Sequence, residues 1–170
     1  MTEDGTEKIP FDVSKVQLLD IPKETRAFLC QVGLKTPKHL CLSFDGGFPT
    51  LNGYCVDKGL AQIPDGDKFY RIGTDEGSEL CMSKGDGSVI AIDPSHIHQR
   101  RFVNSSLPLF QMFIDEYAKY ANEVSSMSED EAIALVESVR AKMESLDAPA
   151  FSDPENWWAV ITEQMMNGQL

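Results

Sequence analysis

The sequence predicts an α+β fold with an N-terminal helix, an antiparallel-rich central sheet, and C-terminal helices packed on it. Two observations carry this. Between Lys38 and Val103, short apolar runs alternate with clusters of Gly and Asp, a strand-and-turn pattern. Beyond Asn104, apolar residues recur at three-and-four spacing, the period of a helix lying on a core.

The elements follow in order. Residues 1–15 read as a flexible arm, and residues 16–170 as a single domain. Pro22 suits the first turn of a short helix and Gly33 its C-terminal stop, with Phe28, Leu29 and Val32 on one face. Residues 40–44 form a short apolar strand, ended by Asp45, Gly46 and Gly47. Residues 69–72 make a second strand, followed by a turn at Asp75, Glu76 and Gly77. Residues 80–82 continue the sheet, and Gly85-Asp86-Gly87 is a strong hairpin signal. Val89, Ile90 and Ile92 follow, ended by Asp93 and Pro94, and residues 97–103 read as the last strand. Turns this short leave no room for crossover helices, so the strands are expected to form an antiparallel meander.

Three helices are expected next. Ser105 or Ser106 can cap the first, with Pro108 in its first turn, and Phe110, Phe113, Tyr117, Tyr120 and Val124 form its core stripe. Ser128 and Glu131 have capping-box spacing for the second, whose apolar face is Leu135, Val136, Val139, Met143 and Leu146. Ala148 and Pro149 break it. Asp153 caps the third, with Pro154 at its start and Trp157, Ile161 and Met165 along one side. Trp157 and Trp158 are adjacent, and a helix cannot turn both toward one narrow stripe. One is expected in the core, the other under a loop or at an interface.

The chain has 170 residues, 42% apolar and 25% charged, which is the composition of one globular domain with a real core. No apolar run approaches the roughly 20 residues that span a bilayer. Residues 1–8 lack the basic-then-apolar order of a signal peptide, so a cytosolic location is expected. Lys and Arg number 15 against 27 Asp and Glu, a net charge of −12. From Ala121 onward there are ten acids and two bases, so that third of the chain carries −8 and the first 120 residues −4. Such a field repels phosphate backbones, which argues against direct nucleic-acid binding, and speeds encounter with a basic protein. The same charge would also serve solubility alone.

Candidate chemistry is sparse. Cys30, Cys41, Cys55 and Cys81 contain no Cys-x-x-Cys pair and are expected to be buried free thiols. His96 and His98 would share a face of a strand and could hold a metal, with Asp93 as the nearest third ligand. Arg100 and Arg101 follow directly and disfavour a bound cation. His39 lies close to Cys41, but a thiol–imidazole pair needs adjacency that sequence does not specify. The glycines lack the Lys–Ser/Thr ending of a phosphate loop. Asp65, Asp67, Asp75, Glu76 and Glu79 cluster around turns. They lack the twelve-residue calcium-loop pattern, and nothing sets the separation a carboxylate acid/base pair requires. They are expected to face a basic partner, together with exposed carboxylates after Ala121. No catalytic residue, metal site or cofactor is expected.

The order of motifs from Phe69 to Tyr120 resembles the SUKH (SMI1/KNR4-like) superfamily, and within it the SUKH-4 immunity proteins. It runs Tyr70-Arg71-Ile72-Gly73-Thr74-Asp75, Leu80-Cys81-Met82, Gly87-Ser88-Val89 through Asp93, then Arg101-Phe102-Val103-Asn104-Ser105-Ser106-Leu107. The helix between Ile21 and Gly33, followed by Leu34 and Pro37, is similar too, as is the tryptophan-bearing end. The likeness spans about residues 15–165. It implies a sheet cradled by helices and a role as antidote to a polymorphic toxin, commonly a nuclease or nucleic-acid deaminase, neutralised by protein–protein binding. It transfers no catalytic residue. Gly73 is expected to relieve strain at a strand end, and Asn104, Ser105 and Ser106 to satisfy free helix amides.

Three functions compete. The first is an immunity protein, a monomer blocking a basic toxin domain. The second is a regulatory scaffold of the SMI1/KNR4 type without a toxin partner, which a toxin gene directly upstream would count against. The third is an enzyme using His96, His98 or Cys30, which stoichiometric metal would revive.

Overall fold

The computed structural model describes residues 7–9, 11–36, 38–96 and 99–170. Strand β1 (Glu7–Lys8) pairs antiparallel with β2 (Lys35–Thr36) in a small separate sheet. Between them lie α1 (Val13–Gln17), capped by Asp12, and α2 (Lys23–Gln31). Pro22 occupies the N-cap of α2, and Gly33 ends the region in a left-handed conformation at φ 76°. That is the Pro-before, Gly-after asymmetry expected of a short helix.

The main sheet has five strands in chain order: β3 (Ser43–Phe44), β4 (Phe69–Asp75), β5 (Ser78–Ser83), β6 (Val89–Ile92) and β7 (Arg100–Asn104). Every neighbouring pair is antiparallel, so the sheet is the expected meander. A bulge between Arg71 and Gly73 shifts the register of β4 against β5. Gly73 owes its identity to close approach rather than to strain. A Cβ there would lie 2.1 Å from the Ser43 carbonyl oxygen. Only glycine lets β3 come that near.

Helices α4 (Leu107–Glu123), α5 (Glu129–Leu146) and α6 (Trp157–Met166) complete the chain. Ser106 caps α4, accepting from the Leu109 amide, and the Ser128–Glu131 capping box opens α5. Both caps satisfy amides that a helix start leaves free. The α4 stripe of Phe110, Phe113, Tyr117 and Tyr120 is fully buried.

Alternation along β5 separates two layers. Leu80 and Met82 point to a front layer with Ile72, Val89, Ala91 and Val103, where α4, α5 and α6 pack. Cys81 points to the back, into a small cluster with Leu51, Cys55, Ile63, Phe69 and Ile92.

The back layer departs from the sequence reading. Residues 51–57 form a helix, α3 (Leu51–Asp57), in a region read as strands and turns, and a 3-10 turn (Gly66–Lys68) precedes β4. Thr50 caps α3 by accepting from the Gly53 amide at 3.1 Å. Gly59, at φ 67°, closes it, with the Leu60 amide donating to the Cys55 carbonyl at 2.7 Å. These are sound helix boundaries. Gly53 and β-branched Val56 inside so short a helix mask them in the sequence.

Smaller corrections follow. The strand expected over residues 40–44 is only Ser43–Phe44. Val32 and Leu146 are exposed rather than on core faces. Asp153 caps only a preliminary turn through the Glu155 amide, and Asn156 is the cap position of α6. Cys41 is exposed and Cys30 half-buried, while Cys55 and Cys81 are buried as expected. Both tryptophans are buried. Trp158 packs edge-on against Phe113 at 5.4 Å, and Trp157 against Phe110 at 6.3 Å. Positions about 100° apart on α6 both find cover, because the helix packs against α5, the turn at residues 148–151 and β7 together.

Candidate partner-binding surface

The five carboxylates singled out in the sequence do not form one patch. Asp65 and Asp67 precede β4, and Asp75, Glu76 and Glu79 lie at its far end. At about 3.3 Å per residue, the seven residues of β4 separate the two groups by roughly 20 Å. Asp65 adopts a left-handed backbone and pairs with Lys68 at 3.1 Å. Asp67 accepts from the Asn52 amide group at 3.3 Å. Both are exposed.

The second group divides further. Asp75 is committed to the fold. One oxygen accepts from the Ser78 amide at 2.9 Å and the other from Trp157 Nε1 at 2.5 Å. Glu79 is committed as well, accepting from Arg71 Nε at 2.5 Å. Glu76 differs. It sits at the β4–β5 tip with a positive φ of 51° and is exposed. Its carboxylate lies beside the exposed Cys41 thiol and raises that thiol's pKa through a hydrogen bond and its charge. The thiolate is thereby suppressed, the reverse of what a nucleophilic cysteine needs.

Arg71 is a buried guanidinium that the sequence reading passed over. It pairs with Glu79 and Asp45 and lies 4.0 Å from the centre of the Tyr54 ring. Burial opposes its charge, but its hydrogen bond to Glu79 and the charges of Glu79 and Asp45 outweigh that, so its pKa is raised. A lone Arg inside an apolar strand was the available signal.

The carboxylates after Ala121 are mixed in role. Asp147 is buried, accepting from Asn104 Nδ2 at 2.9 Å, the Ser105 amide at 2.8 Å and Ser105 Oγ at 2.6 Å. On α5, Asp130, Glu137 and Glu144 are exposed. The two bases of α5 are occupied: Lys142 holds Glu116 at 2.7 Å, and Arg140 lies over the Phe151 ring.

The sites considered for chemistry stay apart. His96 hydrogen-bonds Asp93 at 3.0 Å, whose pKa is lowered mainly by Ser95 and then by His96. Residues 97 and 98 lie outside the described residues, so the His96–His98 pairing is not described. Among the described residues, no group of three His, Cys, Asp or Glu could hold a metal ion. The His39 carbonyl accepts from the Tyr117 hydroxyl, while Cys41 faces Glu76. Burial pushes the Cys55 and Cys81 thiols up.

The chain matches the SUKH-4 immunity protein family over residues 5–164, nearly its whole length. It belongs to the SUKH-4 immunity protein family. No curated protein and no solved structure matches it. In this SUKH-4 protein the Asn104-Ser105-Ser106 joint has a clear physical task. Ser106 caps α4, while Asn104 accepts from Trp158 Nε1 at 2.8 Å and donates to Asp147. The joint ties the end of β7 to the last helix through groups that are all satisfied. No described helix of the SUKH-4 chain is long and apolar enough to cross a membrane.

Proposed function

We propose that this SUKH-4 protein neutralises a toxin domain by binding it directly, without catalysis. The family match across residues 5–164 carries this reading. The partner is a basic domain, in keeping with nuclease or nucleic-acid deaminase toxins, and it is met in the cytosol by a monomeric antidote. The net charge of −12 supports a basic partner, since opposite fields raise association rates and fall off with salt. The carboxylates Asp65, Asp67 and Glu76, with Asp130, Glu137 and Glu144 on α5, are exposed and are the groups we assign to meet it. Asp75 and Glu79 serve by holding the scaffold.

The test is affinity capture from the native source with the full chain as bait, washed at low and at high salt, followed by mass spectrometry. The expected result is one dominant basic protein with a toxin domain, weakened by salt. Many partners of moderate affinity, or none, would favour a regulatory scaffold instead.

A further inference from the structure

Trp157 and Trp158 are neighbours on α6, yet they donate to opposite ends of the sheet. Trp158 Nε1 reaches Asn104 at the end of β7. Trp157 Nε1 reaches Asp75 at the β4–β5 tip, 82 residues away in sequence. The tip is a two-residue connection, Glu76 and Gly77, between Asp75 and Ser78. Asp75 is bridged on both oxygens, to Trp157 and to the Ser78 amide. Thr74 Oγ1 donates to the Ser78 carbonyl at 3.0 Å. Strand β3 pairs with Thr74 and Gly73 from the other side. The residue so held is Glu76, the exposed carboxylate of the tip, with no cation paired to it among the described residues.

We infer that Trp157 is a positioning residue: through Asp75 it locks the β4–β5 tip in the geometry that presents Glu76 to a cationic side chain of the toxin. This rests on the toxin-binding reading and adds how the acidic tip is prepared for it. A fixed turn loses little freedom on binding, so its contacts are realised with a smaller ordering cost. Trp157 itself is buried. Its indole acts at a distance by fixing the carboxylate that closes the turn. Asp75, a candidate contact in the sequence, is thereby assigned to the lock.

The experiment uses the full chain and, as probe, the basic protein recovered by the affinity capture above, its toxin domain purified as an inactive variant. Four variants are compared: Glu76→Ala, Asp75→Ala, Asp75→Asn and Trp157→Phe. Two quantities are read for each, the Kd for the probe and hydrogen exchange at the Ser78 amide. Asp75→Ala and Trp157→Phe are expected to speed exchange at Ser78 and weaken binding by about tenfold. Glu76→Ala is expected to weaken binding with Ser78 protection kept. Asp75→Asn keeps one acceptor oxygen and turns the other into a donor, so it can hold Trp157 or the Ser78 amide but not both, and is expected to lose protection and affinity together. Affinity lost in Asp75→Asn with Ser78 protection kept would make the Asp75 charge a direct contact and overturn the lock. Unchanged Ser78 exchange in Asp75→Ala would also overturn it, and so would affinity kept while Ser78 is deprotected. Should Trp157→Phe fail to fold, the two Asp75 variants decide alone. Failure of the wild-type chain to bind the probe would instead remove the toxin-binding reading, while Ser78 exchange still reports on the tether.

Discussion

The two faces of the main sheet are built differently. The front layer is deep and aromatic. Phe110, Phe113, Trp157 and Trp158 interlock in edge-on and tilted contacts beneath three helices. The back layer is one short helix over a handful of apolar residues, with a buried, ion-paired arginine among them. Large apolar areas make the front self-sufficient. The back has too little apolar surface for that and depends on Arg71 being neutralised by Glu79 and Asp45. One consequence is that the candidate contact Glu79 is anchored by the layer with the smaller reserve.

Truncation at the centre of each layer tests this contrast. Phe110→Ala empties the middle of the aromatic cluster and should cost about 3–5 kcal/mol, measured as a lowered urea midpoint. That is a large share of a domain's total stability, so partly unfolded protein is expected. Leu51→Ala removes the fully buried anchor of α3. It should cost about 2–3 kcal/mol, the lower part of the range for such truncations, because a small cluster under an exposed helix can relax around the gap. Exchange should quicken first in α3 and β4. Equal costs at the two sites would remove the distinction between the layers.

The smallest effect is electrostatic and belongs to the front. Glu116 on α4 holds Lys119 at 2.6 Å and reaches across to Lys142 on α5 at 2.7 Å. Burial works to raise its pKa, but the two lysines prevail and hold it below the ordinary 4.5. A carboxylate with a depressed folded pKa adds stability above its unfolded pKa and loses it as pH falls through the folded value. Glu116→Gln should therefore lower the melting temperature slightly near neutrality and leave it unchanged well below pH 4.5. The same decrement at both pH values would show that the pair contributes packing rather than charge.

The front layer was also the legible one. Its helices carry complete local signals: Ser106 with Pro108, the Ser128–Glu131 box, and an aromatic stripe at helical spacing. The meander was legible for the same reason, since Gly85 and Gly87 take the positive φ that turn signals announce. The back layer was not. Val56 and Gly53 argue locally against a helix that Thr50 and Gly59 nevertheless delimit. Of the candidate contacts, residue type and loop location were legible, and Asp65, Asp67 and Glu76 are indeed exposed. Their separation along β4 was not.

The sequence alone determined the order of the meander strands and of the helices after them, the antiparallel pairing of the sheet, the caps of α4 and α5, and the acidic balance. Each of these depends on neighbours within a few residues or on composition. Only the tertiary structure decided that both tryptophans are buried, that Asp75 answers Trp157, that Asp147 answers Asn104, and that Arg71 carries two carboxylates. These pairings join residues up to 82 positions apart. A polar side chain reads the same in a sequence whether it faces solvent or a buried donor. Which of the two it meets is settled by the packing of distant elements.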